Sequence, residues 1–504
     1  MSDQFPALLV VLPLLSACLI AMAWWLRPSL CFPLAVLGLA GAAAASLGML
    51  HQVLTGPPLL YRLGGWNPPM GIVYAVDKLN GLVLAVVSLS ALLGLIGSRS
   101  NIETEQHRKA GIFYALYLLS VTGLLGIVVT GDAFNLYVLL EIAALSGYAL
   151  IAMGDDRAPL ASLNYLFMGT IGATFYLLGV GILYIQTGTL NMADLAVRLK
   201  PFYGSTSLLV AFLIIGVGLG MKMAFFPVHG WMPGAYTHAP SAATILMAPL
   251  TTKVMIYVLI RLVLTVFTPE YVFARLELGG LMVWLASAAI VAGAVMALAQ
   301  KDFKRMLTYV VVAEVGYMVG GLWLGNRAGM TGAILHLVND VVMTLTVFLA
   351  VAALVQRTGG HRMGGLQGMF GRMPWTMAGL TAAGLAIIGV PPFCGFFSKW
   401  YLLLGAVQAG KWQFAAALIF SSLAAAVLFF RMFEVALFAP SGTDPDHSHD
   451  HVHGDGTSTM DLAEAPLSLL IPLLLSAAAL VALGLATRSI VVNLILPILP
   501  GGFS

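Results

Sequence analysis

The sequence predicts an all-α membrane protein of about fourteen transmembrane helices, arranged as two inverted five-helix repeats with helices 7 and 12 discontinuous. Three observations lead there. The 504 residues are 60% apolar and only 9% charged, far from the balance of a soluble domain. Apolar runs of roughly 20 residues, long enough as helices to cross the hydrocarbon core, recur from end to end. Ionisable residues interrupt these runs in a repeated order.

The runs fall near 5–24, 31–53, 76–96, 110–130, 133–152, 161–186, 205–229, 239–267, 279–299, 304–324, 328–355, 374–407, 413–438 and 464–486. They are continuous rather than alternating in ten-residue segments, so helices are expected and a barrel is not. An even count places both termini on one side. The first run begins almost at Met1 with no basic segment before it, and Trp24, Trp25 and Arg27 flank its end. It reads as a retained helix, not a cleaved signal.

The net charge of +3 comes from Lys and Arg scattered singly through short loops, which gives no footing for nucleic acid. With the N-terminus outside, the inner loops hold Arg27, Arg99, Arg108, Lys109, Arg157, Lys301, Lys304, Arg305, Arg357, Arg362 and Arg372. The outer loops hold fewer, so the bias favours that orientation, and the cell inner (cytoplasmic) membrane is the expected location. Cys18, Cys31 and Cys394 have no spacing that suggests a metal site or a disulfide framework. They read as packing residues.

Three helices lead in over 1–109, and a last helix and tail occupy 463–504. Between them the order Glu141, Lys222, Lys253 is repeated as Glu314, Lys399, Arg431, at offsets of 173, 177 and 178 residues. That spacing implies two five-helix copies, over 110–267 and 279–438. Because five is odd, the second copy must start on the opposite face, which is a transporter's architecture. Each copy has an interrupted fourth helix, at Phe226-Pro227-Val228-His229-Gly230 and at Gly389-Val390-Pro391-Pro392. Proline removes a backbone donor, and irregular backbone at membrane depth survives only where protein or water lines it. A simple proline kink is the alternative reading.

A charge near the bilayer centre costs about 2.5–3.5 kcal/mol on insertion scales, so each needs a partner, water or a function. Glu141 in the fifth helix and Lys222 in the seventh pair by opposite charge. When they separate, the desolvated amine can pass its proton to Lys253 or to water. A static ion pair that orients helices is the alternative. His336 and Asp340 are four residues apart, hence on one face of the eleventh helix. An imidazole suits a relay between Lys253 and Lys399, with Glu314 on the preceding helix. His229 and His238 flank Trp231-Met232-Pro233-Gly234, where they either end a proton path at the surface or bind loop backbone. The charges of Lys301-Asp302-Phe303-Lys304-Arg305 fit topology and partner contact.

The polar loop 439–462 carries His447, His449, His451 and His453 alternating with Asp and Ser. Such a composition can hold zinc or nickel, or can simply be a flexible polar loop with incidental metal affinity. No ligand set for haem or an iron–sulfur cluster appears, so no cofactor is expected in this chain.

The stretch from Lys222 to Tyr236, KMAFFPVHGWMPGAY, followed by Ala239-Pro240-Ser241 and Lys253, resembles the proton-translocating antiporter-like subunits of respiratory complex I and of Mrp-type cation/proton antiporters. The resemblance covers about 76–438. It implies an arc of inverted repeats and a chain of charges in the membrane plane, with the family's key residues falling on Glu141, Lys222, Lys253 and Lys399. Lys399 is similar to the D-type member of the Mrp antiporters, where a complex I subunit has Glu. Asn339-Asp340 and Thr344 depart from the Asn-His and later Lys of many relatives, and Glu314 stands where a neutral residue or His is common.

The leading expectation is a proton-conducting subunit of a multi-subunit Na+ (or K+)/H+ antiporter, in the bilayer beside other subunits of a hetero-oligomeric complex. A pumping subunit of a complex I-like or membrane-bound hydrogenase assembly is the rival. An anchor that has lost transport is a third. In none of them is this chain itself an enzyme.

Overall fold

A computed structural model describes residues 4–154, 156–438 and 464–499. Twelve of its helices are long and apolar enough to cross a membrane. Two further crossings are each made of two shorter helices, and the order is α1 (Phe5–Leu26), α2 (Cys31–Thr55), α3 (Lys78–Glu105), α4 (Ala110–Val129), α5 (Ala133–Ala152) and α6 (Ala158–Thr187). There follow α7a (Thr206–Lys222), α7b (Trp231–His238), α8 (Ser241–Arg261), α9 (Gly279–Leu298), α10 (Phe303–Trp323) and α11 (Arg327–Thr358). The chain then runs through α12a (Pro374–Ile388), α12b (Cys394–Gln408), α13 (Trp412–Phe438) and α14 (Leu467–Ile490). Among the described residues fourteen candidate crossings are therefore present, with helices 7 and 12 discontinuous.

Contacts between loops agree with alternate crossings. On one side, Tyr74 bridges Thr130 and Asp132 bridges Asn191. On the other, Asp302 bridges Arg362, the Ser241 N–H donates to Glu105 Oε2 at 2.9 Å, and Gln106 Nε2 donates to the Met153 carbonyl at 3.0 Å. Packing within the two sets of five helices also runs in parallel: α4 lies against α5 and α8, and α9 lies against α10 and α13. A small hairpin of β1 (Leu59–Arg62) and β2 (Val73–Val76), with Leu59 opposite Val76, packs against α1, α3 and α4. Four-residue strands give too short a period to register beside apolar helices.

The helices at the centre are apolar all round, as a helix surrounded by protein must be. Residues Ser241–Ile260 of α8 are all buried, and α11, 32 residues long, is buried from Gly329 to Leu354. Outer helices such as α6 bury one stripe and turn Leu163, Phe167 and Leu178 outwards.

Local chemistry sets the helix ends. Asp77 caps α3, accepting from the Leu79 and Asn80 N–H groups while Asn80 reaches back to the Asp77 N–H. Asp132, Asp302 and Asn326 accept from first-turn N–H groups of α5, α10 and α11, and Asn191 does so for a short helix, Met192–Arg198. The Asp77 carboxylate also takes a forked bond from Arg261 of α8, with Nη1 at 2.6 Å and Nη2 at 2.9 Å. Burial pushes this carboxyl up, but Arg261 and the two N–H donors outweigh it and hold it below its ordinary range. A lowered folded value means a contribution that is complete above the unfolded pKa of about 3.9 and lost as pH falls through the folded value. Asp77→Asn is therefore expected to lower the melting temperature of the detergent-solubilised protein at pH 7. The gap from the unaltered protein should begin to narrow near pH 4 and close only as pH falls through the lowered native value, where the native carboxyl also protonates.

Candidate functional site

Both interrupted helices follow from local sequence. After Lys222, Ala224 takes a positive φ of 56°, and the Phe226–Pro227 peptide turns the chain into α7b. The carbonyls at the end of α7a lose their helical donors, and Trp231 Nε1 satisfies one of them by donating to Met221 at 2.9 Å. In helix 12, Gly389 has φ 92°. A side chain there would be strained and would also meet the Lys399 Cδ at 3.2 Å. Lys399 Nζ satisfies the freed carbonyls of α12a, donating to Ile387 at 2.6 Å and Ile388 at 3.3 Å, and to Ser422 Oγ at 3.0 Å. An ammonium on the C-terminal carbonyls of a half-helix meets the negative end of its dipole.

Lys222 and Lys399 are thus not equivalent positions, although their offset matches the repeat. Lys222 ends the half-helix before its break, whereas Lys399 sits in the half-helix after its break. The offset alone could not reveal this, because the side of the break depends on where the prolines fall.

Four groups of contacts line up inside the membrane. Lys222 Nζ lies 3.4 Å from Glu141 Oε1 of α5, with the lysine side chain 5% exposed and the glutamate 24%. Lys253 of α8 lies 3.1 Å from Asp340 Oδ2 of α11, both fully enclosed. Lys253 also donates to the Ala248 carbonyl at 3.1 Å and Thr344 Oγ1 at 3.2 Å, and Thr344 donates to Asp340 Oδ1 at 2.7 Å. The departures of residues 340 and 344 from the family pattern are therefore mutually consistent: carboxylate, hydroxyl and ammonium close one ring.

Glu314 of α10, also buried, lies against Asp340, and its Oε1 has no donor among the described residues. A cavity of about 10 Å³ touches Glu314, Tyr317 and Ser421, close to the threshold of roughly 10–15 Å³ for one water.

His336 Nδ1 and Ser398 Oγ are 2.9 Å apart, while His336 Nε2 has no partner among the described residues. Its ring sits edge-on to Tyr317 at 5.2 Å, and Lys399 Nζ stands 5.1 Å over the same Tyr317 ring. Lys399 in turn lines an open cavity of about 280 Å³ between α12b and α13. Among the described residues no direct hydrogen bond joins Lys222 to Lys253.

Other expected site residues stand apart. His229 is buried within the helix 7 break, stacked on Phe226 at 5.4 Å, and its Nδ1 is unpartnered among the described residues. His238 ends α7b near the loop that carries Asp156 and Arg157. Arg431 does not belong to the line. Expected as a buried ion, it lies on the exposed face of α13 with Glu434, Phe430 and Phe438. His447, His449, His451 and His453 lie outside the described residues.

Sequence reasoning passes over several partners. Thr344, Tyr317, Ser398 and Ser422 carry no charge to mark them, though Ser398 adjoins Lys399 and Thr344 is one turn past Asp340. Lys304 reads as a loop charge in the sequence, yet it belongs to α10, is buried, and donates to the Ala239 carbonyl at 2.7 Å.

The family described as "NADH:quinone oxidoreductase/Mrp antiporter, TM" matches residues 130–424. "NADH-quinone oxidoreductase subunit N" of Desulforudis audaxviator (strain MP104C) is 41% identical, over 99% of each chain. A "Na(+)/H(+) antiporter" subunit of Bacillus subtilis (strain 168) is 31% identical, over 88% of this chain and 89% of that one. Among solved structures, a chain of the Mrp complex from Dietzia sp. DQ12-45-1b is similar with a TM-score of 0.86 and 26% identity, covering 98% of both chains.

Proposed function

The chain belongs to the NADH:quinone oxidoreductase/Mrp antiporter family, and from that premise we propose that it is the proton-translocating subunit of a multi-subunit Na+ (or K+)/H+ antiporter of the cytoplasmic membrane. The observation that carries this reading is the set of ion pairs and unpaired acids enclosed by α5, α7a, α8, α10, α11 and α12b. Groups so costly to bury are kept where they move ions or protons.

In this reading Glu141 and Lys222 act as the input switch. Closing the pair holds the proton on Lys222, and opening it releases the proton through water towards Lys253. At Lys253, the ring with Asp340 and Thr344 and the neighbouring Glu314 offer alternate seats for one proton. His336, with one ring nitrogen on Ser398 and the other free, then relays towards Lys399, whose open cavity supplies the exit. His229 and His238 mark an entry along the helix 7 break. Lys399→Ala is expected to lower proton flux in vesicles on the order of a hundredfold, the scale of a lost general acid–base group, and to change its pH dependence. Unchanged flux with an unchanged pH profile would remove Lys399 from the path.

Partner subunits are supported by two surfaces. The Glu141 side chain is a quarter exposed on a face of α5 shared with the exposed Phe134, Val138 and Leu145. Arg431 and Glu434 are uncovered at the far end of the row of helices. Charges on an outer face within the membrane call for cover by another chain. The 41% identity to a chain named for a quinone oxidoreductase favours a second reading, a pumping subunit driven by a redox arm. Gentle purification of the assembly separates the two. Recovery of antiporter subunits alone supports the first, and stoichiometric recovery of a flavin or iron–sulfur subunit overturns it.

A further inference from the structure

A cavity of about 230 Å³ lies between α7a, α8, α9 and α10, and its walls include Phe212, Leu219, Phe226, Val263, Met282 and Trp323. It exceeds the roughly 150 Å³ that holds benzene in an engineered apolar cavity, and cavities of this character stay dry. It is too small for a helix, whose diameter with side chains is about 10–12 Å. One wall is polar in a single place. Trp323 is 4% exposed, and its indole N–H has no acceptor among the described residues.

The position of that N–H is informative. Trp323 ends α10 beside Leu278, the residue that precedes α9, so it sits where these helices meet the interface. Trp323 packs against Phe212, and the helix 7 break, Phe225 to Val228, also lines the cavity beyond ten further residues of α7a, about 15 Å at 1.5 Å per residue. Half of the hydrocarbon core is about 15 Å. Tryptophan at the interface ordinarily finds a partner for its N–H while its ring faces the chains. Leu213 and Val217, on α7a at the mouth, are 43% and 49% exposed, so the cavity communicates with the surrounding bilayer.

We propose that this cavity is a lipid site, in which one acyl chain of a membrane phospholipid runs down to the helix 7 break and its ester carbonyl accepts from the Trp323 indole N–H. The site places the chain terminus against Phe226, Pro227 and Val228, four to six residues beyond Lys222. An occupied cavity props the break from behind and limits how α7a moves relative to α7b. The inference does not depend on which ion is transported.

Gly216 and Gly220 line the cavity, and a side chain built on either meets nothing within 4 Å. Gly216→Leu with Gly220→Leu therefore adds bulk to the cavity wall with no clash at either Cβ. Gly181→Leu on α6 is the control, since that glycine is equally open and does not line the cavity. The intact complex is placed in vesicles of phosphatidylethanolamine and phosphatidylglycerol containing phosphatidylethanolamine with a diazirine at the end of one acyl chain. After illumination, adducts are mapped by mass spectrometry. Adducts are expected on the segment from Phe225 to Val228, reduced at least tenfold by the double glycine variant, unchanged by Gly181→Leu, and reduced severalfold by Trp323→Phe. Adducts restricted to exposed residues such as Leu213 and Val217 in the unaltered protein would overturn the proposal. So would adducts on Phe225–Val228 that persist in the double glycine variant. The map of the unaltered protein decides the matter even where the double variant fails to assemble.

Discussion

Lys253→Met is expected to be the most damaging single substitution in the chain. Lys253 and Asp340 are both fully enclosed and 3.1 Å apart, and removing one partner of a buried pair costs about 3–5 kcal/mol because the other charge is left uncompensated. The Asp340 carboxylate would retain only the Thr344 hydroxyl among its present donors. A fall in melting temperature in detergent and reduced recovery of the assembled complex are the measurements. Asp340→Leu added to Lys253→Met removes both charges, and replacement of a buried pair by apolar residues is often neutral or stabilising. Assembly should therefore return in the double variant while transport does not. A pair retained only for structure would give back both.

The second large effect is expected at the other pair. Glu141→Ala and Lys222→Ala should each lower coupled ion flux in vesicles on the order of a hundredfold, as loss of an acid–base group does. Their effect on stability should be smaller than that of Lys253→Met, since Glu141 is 24% exposed and its pair is looser, at 3.4 Å. The double variant should be as inactive as either single one, because residues that act as a unit are not additive. Retained flux in both single variants would instead favour an anchor that has lost transport.

Much of this is legible in the sequence because the bilayer is a demanding solvent. The fourteen runs, the two breaks and the pairing of Glu141 with Lys222 follow from hydropathy, proline and the cost of buried charge. Asp340 stands out through its four-residue spacing from His336, but its partner does not. Lys253 reaches it from a helix 87 residues earlier, and no local pattern specifies that contact. Arg431 misleads for a related reason. In a membrane the lipid-facing side of a helix is as apolar as the protein-facing side, so the residues around Arg431 in α13 look alike whether that face is packed or bare. Lys304 misleads in the opposite sense. It sits in a charged stretch at a helix start, and only the approach of Ala239 from the α7b–α8 junction encloses it.

The Glu314–Asp340 contact has the same origin. Two acids on neighbouring helices are separately unremarkable in sequence, and only the packing of α10 against α11 brings them together. The neutral partners Thr344, Tyr317, Ser398 and Ser422 are the residues for which sequence carries least signal, yet they set the bonds through which His336 and the lysines are oriented.

The central claim is that protons pass along the line from Glu141 to Lys399 through Lys253 and Asp340. Its most direct test is proton entry into vesicles containing the assembled complex with Lys253→Met and Asp340→Leu together, followed by an internal pH-sensitive dye after an imposed pH step. The complex is expected to assemble with flux reduced on the order of a hundredfold; flux equal to that of the unaltered complex would remove Lys253 and Asp340 from the path.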